Sequence, residues 1–160
     1  MAVLLDVSLP AMNLPVPLKI LNIFACLLFA GFAWVQYNDI DPEVYYHPSS
    51  LDAALWLLFY ALIAVLCVVI LFKPLPGWLM VAAALACVVE LGRTGPGLWD
   101  NLFGEESFTM VQTSMSADDP RVELTREFFG ALIALAGVIL LWLEGRFAAK
   151  TRGQSDPSEA

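Results

Sequence analysis

The sequence predicts an all-α membrane protein, a four-transmembrane-helix antiparallel bundle with a short interfacial helix in the third loop. Three observations carry that expectation. Hydrophobic residues make up 59% of the 160-residue chain and charged residues 15%, whereas a soluble domain averages roughly 45–50% apolar and about 25% charged. The apolar residues gather in four blocks, giving spans at about 18–37, 51–72, 76–94 and 124–145. A helix rising about 1.5 Å per residue needs roughly 20 residues to cross a hydrocarbon core of about 30 Å. The run Lys73-Pro74-Leu75-Pro76-Gly77 makes a tight hairpin between two of these blocks, as expected for antiparallel neighbours.

Residues 1–17 form an N-terminal segment that carries Pro10, Pro15 and Pro17 and no basic residue before its apolar run, a poor fit to a secretory signal. Lys19 follows as an anchoring cation. The first span has a stripe at Asn22, Cys26, Phe29, Ala33 and Gln36, spaced by four and three, which marks its face toward the bundle. Trp34 and Tyr37 suit an interfacial aromatic belt. Cys26, Cys67 and Cys87 lie in three different blocks; that spacing makes neither a disulfide framework nor a zinc site and reads as packing.

Asn38 and Pro42 stop the first span, and Asp39, Asp41 and Glu43 follow the negative end of its dipole. Anions are disfavoured there by about 0.3–1 kcal/mol each, so these acids should seek a cation or backbone donors. His47, the one histidine in the chain, reads as a solvated loop residue. Ser49 or Ser50 can cap the second span, with Asp52 in its first turn. The third span opens at Trp78 with an alanine-rich face, and Glu90 and Arg93 pair at i and i+3 near its far boundary.

Gly95-Pro96-Gly97 is read as the end of that span. Leu98, Trp99, Leu102 and Phe103 then predict the short interfacial helix. Asp119-Pro120 starts the last helix, which carries a stripe at Glu123, Glu127, Gly130, Ala134, Gly137 and Leu141 as its packing face. Arg126, about 100° around from Glu127, is free to point to a neighbour. Residues 146–160 are expected to be a flexible cytoplasmic tail.

Five cations fall on the side of the N-terminus and three on the other. The positive-inside rule therefore places both termini in the cytoplasm and the Asn38 and Glu123 motifs on the outer face. An odd number of spans separates the two motifs, so they share a surface. Asn38, Asp39, Asp41, Glu123, Arg126 and Glu127 are the candidate site residues, forming one polar cap over the bundle.

Two motifs together, Gln36-Tyr37-Asn38-Asp39-Ile40-Asp41-Pro42 and Glu123-Leu124-Thr125-Arg126-Glu127-Phe128-Phe129-Gly130, resemble the transmembrane protein 220 family of bacteria and eukaryotes. The family pattern reads Asn-Asp-Pro-Asp-Pro, and Ile40 stands here for its first proline. The resemblance implies a four-helix membrane protein with no reaction attached.

The function expected is that of a structural or accessory subunit in a bacterial inner (plasma) membrane. Its partners would be the lipid bilayer and another membrane protein or a second copy; no nucleic acid and no cofactor are expected. Under this reading Arg126 pairs with Asp39 or Asp41. The alternative is a hard-cation, calcium-like site built from the same carboxylates and the Asn38 amide, although the run lacks the glycine and terminal glutamate of an EF-hand. A membrane enzyme ranks below for want of a nucleophile and base pair. A transporter ranks with it, because the span centres lack an ionisable relay.

Overall fold

Proline and apolar periodicity divide the chain into four helices: α1 (Val16–Val35), α2 (Ser50–Val69), α3 (Gly77–Phe103) and α4 (Arg121–Ser155). The computed structural model describes residues 14–36, 50–110 and 120–155. All four helices are long and apolar enough to cross a bilayer, and no strand occurs among the described residues. The protein is an integral membrane protein with a four-helix bundle. Helices suit that solvent because they satisfy their backbone groups internally.

Pro15 precedes α1 in an extended conformation and accepts from the Leu18 and Lys19 amides at 3.0 and 3.1 Å. Past the end of α2, the Leu71 and Phe72 amides bond three residues back, to Val68 at 3.1 Å and Val69 at 3.0 Å. This tightens the turn before Pro74 and Pro76, which cannot donate.

The expected interfacial helix is not separate. α3 runs unbroken from Gly77 to Phe103 with Pro96 inside it. A proline ring normally clashes with the carbonyl four residues back and with the Cβ of the residue before it. Here the preceding residue is Gly95, which has no Cβ, so the second of these clashes is eased and the helix passes through.

α4 likewise continues through Ser155, past the expected boundary at 145, with Ala148 still buried. The opening of the tail is therefore helical. At about 1.5 Å per residue, α1 and α2 match a hydrocarbon core of about 30 Å, while α3 and α4 overshoot it.

α3 packs along α4 and α1 along α2, and α2 also touches α4. The core between them holds Phe29, Tyr60, Ile63, Cys67, Cys87, Ala134, Val138 and Leu141. All three cysteines are free. Outward-facing Leu27, Leu58, Val65, Val81 and Leu85 are exposed and meet lipid.

Tryptophans mark two levels: Trp34 and Trp99 at one end, Trp78 and Trp142 at the other, all exposed, as in aromatic belts. Trp56 is instead buried, stacked on Tyr60 at 5.2 Å. The end with Trp34 and Trp99 also holds Asp52, Glu90, Glu106, Glu123 and Glu127 against Arg93, Arg121 and Arg126. It is the acidic end; Lys19, Lys73, Glu144 and Lys150 lie at the opposite end.

Candidate functional site

Because α3 and α4 overshoot the hydrocarbon, their seam at the acidic end can be polar, and the spacing of its residues makes it so. Thr94, Gly97 and Asn101 lie on one face of α3, with Thr94 and Asn101 fully buried. A Cβ at Gly97 would overlap the Leu124 side chain, so the missing side chain sets how closely the two backbones approach.

Asn101 is held on every side. Its amide nitrogen donates to the Thr109 carbonyl at 2.8 Å and to Thr125 Oγ1 at 3.0 Å, and its Oδ1 accepts from the Thr109 amide at 3.1 Å. Thr125 in turn donates to the Arg121 carbonyl at 2.6 Å. One side chain thus folds the residues after α3 back onto the seam and ties them to α4. Nearer the membrane, Thr94 Oγ1 donates to the Glu90 carbonyl at 2.7 Å.

The charged groups follow the same seam. Arg93 donates through Nε to Glu90 at 2.6 Å and through Nη2 to Glu127 at 2.9 Å. Arg121 pairs with Glu106 and donates to the Ser107 carbonyl at 3.3 Å. Arg126 directs Nε and Nη2 to the Met110 carbonyl at 3.2 and 2.7 Å. A cleft opens beside these groups between α2 and α3, with Asp52 and Glu90 at its rim and Leu55, Trp56, Phe59 and Val89 as walls.

Of the six residues expected to form the polar cap, Glu123, Arg126 and Glu127 lie in the first turns of α4 at the acidic end, with Glu123 buried. They point to different partners: Glu127 to Arg93 on α3 and Arg126 to a backbone carbonyl. Asn38, Asp39 and Asp41 lie outside the described residues, and with them the expected Arg126 pairing to Asp39 or Asp41. No group of three or more His, Cys, Asp or Glu that could hold a metal ion occurs among the described residues.

A family model described as transmembrane family 220, helix, matches residues 28–143, a stretch that includes both polar motifs and the whole α3–α4 seam. The chain belongs to transmembrane family 220. No curated protein and no solved structure matches it.

In this family 220 chain the glycines of the α4 stripe lie against α2 and α1. A Cβ at Gly130 would lie 2.5 Å from the Tyr60 hydroxyl, and one at Gly137 would lie 2.8 Å from the Phe29 ring. Two polar contacts were missed by reading the sequence. Asn101 and Thr125 carry no signal, since their partners are a backbone and a residue across the seam. Asn22 and Glu144, which meet at the opposite end, do carry one: Glu144 is three residues past Leu141, the next step of the α4 stripe.

Proposed function

We propose that this family 220 protein is a structural or accessory component of the plasma membrane, acting through contact with another membrane protein or a second copy of itself. The observation that supports this reading is that the acidic end engages its polar groups internally. Arg93, Arg121 and Arg126 all donate to partners within the chain, and Asn101 has both its donor and its acceptor atoms bonded. A reaction centre holds such groups toward a space where a reacting atom can sit; this seam turns them on one another and stiffens the end of the bundle.

The test is site-specific photocrosslinking in native membranes from exposed positions such as Leu27 on α1 and Val88 on α3. A discrete protein adduct at one face, lost on dilution into excess lipid, supports the reading. Adducts to lipid alone at every position overturn it.

A hard-cation site at the same end is the second reading, favoured by the crowding of acids. Glu127 lies within electrostatic range of Asp52, Glu90 and Glu123 as well as Arg93, and Asn38, Asp39 and Asp41 would complete the ligands. Thermal unfolding with and without calcium distinguishes it. A calcium-dependent rise in Tm that disappears in Asp39→Asn supports the site, and an unshifted wild type removes it. The acidic end is placed outside and both termini in the cytoplasm on the cation bias, which reporters at Ser50 and at the C-terminus check.

A further inference from the structure

At the opposite end of the bundle, α1 and α4 meet through a polar contact between Asn22, fully buried, and Glu144, 2% exposed. The Asn22 amide nitrogen donates to the Leu18 carbonyl at 3.0 Å and to Glu144 Oε2 at 2.7 Å, which uses both of its hydrogens. Two acceptors are left over. Asn22 Oδ1 and Glu144 Oε1 are both buried, and neither receives a hydrogen bond. No ion pair to Glu144 occurs among the described residues. An ionised Glu144 would be a lone anion supported by one neutral donor, an arrangement that buried surroundings strongly disfavour.

What the pair lacks is a single donor. A proton on Glu144 Oε1 removes the charge and creates a hydroxyl able to donate to Asn22 Oδ1, closing a cyclic acid and amide pair with the Nδ2 bond already present. A calcium-like cation answers the need less well, because it takes roughly six to eight oxygens and the site offers two unpartnered ones. We propose that Asn22 and Glu144 form a binding site for one proton, and that this proton latches α1 to α4.

The neighbours suit a latch. One heptad along α1 and one heptad back along α4, Phe29 lies against Gly137, so both contacts belong to one antiparallel α1–α4 seam, whereas α1 packs chiefly on α2. On α2, Cys67 lies within electrostatic range of Glu144 and of Cys26 on α1. Lys19, one turn before Asn22, is half-buried and is the rival counter-charge. Arg146 on α4 sits over the Trp142 ring at 5.3 Å, and α3 has no titratable group between Gly77 and Ala86. Asn22 and Glu144 both fall outside the residues matched by the family model. The latch therefore stands independently of the role assigned to the acidic end.

Infrared difference spectroscopy of the full chain in lipid nanodiscs, comparing wild type with Glu144→Gln, reads the proton directly. The expected result is a neutral carboxylic acid band in wild type at neutral pH, sensitive to deuterium oxide and absent from E144Q. Spin labels near the start of α1 and the end of α4 should keep their separation in E144Q, whose amide supplies the missing donor, and move apart in alkali in wild type alone. A carboxylate band at neutral pH, including one held ionised by Lys19, overturns the proposal. So does a wild-type label separation unchanged across the loss of the acid band, or stabilisation by sodium at fixed pH, which would assign the site to a metal cation. Should E144Q fail to fold, Asn22→Ser is the second variant: it removes the amide and should shift the acid band, and an unmoved band overturns the pairing.

Discussion

Arg93 on α3 donates to Glu127 on α4 at 2.9 Å while holding Glu90 on its own helix at 2.6 Å. One guanidinium thus neutralises an acid on each of two helices at the acidic end of the bundle. The pair is partly exposed, with 43% of the Arg93 side chain and 21% of that of Glu127 accessible, so its strength is that of a screened interaction. A double-mutant cycle of Arg93→Gln with Glu127→Gln should give a coupling of up to about 1 kcal/mol, read by unfolding in detergent. Strict additivity would mean that the two charges stabilise the protein separately.

Gly130 and Tyr60 make a sharper pair. A β-carbon at Gly130 would meet the Tyr60 hydroxyl at 2.5 Å, whereas the ring carbon behind it is 3.8 Å away. Gly130→Ala should therefore destabilise the wild type by about 1–3 kcal/mol, the usual cost of overpacking, and should be far milder in a Tyr60→Phe background. An equal loss in both backgrounds would show that the hydroxyl is not what excludes the methyl group.

Asn101 carries three hydrogen bonds from full burial. Asn101→Ala leaves the Thr109 amide and carbonyl without their side-chain partner, at a cost of about 1–3 kcal/mol for groups that stay buried. Amide hydrogen exchange should rise over 104–110 while α1 and α2 stay protected. Unchanged exchange there would mean that this amide does not hold the segment.

The spans and their inward faces were legible because small and apolar residues recur at steps of four and three. The α1 stripe places Asn22 and Phe29 in the interior, and the α4 stripe does the same for Ala134 and Leu141. Carried one step past Leu141, that stripe reaches Glu144, then Ala148, both buried. Asn22 and Glu144 at matching ends of antiparallel stripes were therefore readable as a pair. The course of α3 was not. Gly95-Pro96-Gly97 carries the composition of a break, and its helical outcome rests on where glycines fall relative to the proline ring and to Leu124. The partner of Arg126, a backbone carbonyl at Met110, has no sequence signature at all.

That account of α3 predicts a change of sign. Gly→Ala within a helix is normally favourable by about 1 kcal/mol, and Gly95 has room for a methyl group, with Phe128 4.0 Å from where it would lie. The residue before a proline is nonetheless steered away from helical geometry once it carries a Cβ. Gly95→Ala should therefore destabilise the wild type. In a Pro96→Ala background, where the ring is gone and a bond to the Gly92 carbonyl becomes possible, the same substitution should stabilise. Unfolding of the four proteins of this cycle, with helicity followed by circular dichroism, checks both signs. A Gly95→Ala change that stabilises in both backgrounds would mean that the missing Cβ at position 95 is not what lets α3 run through its proline.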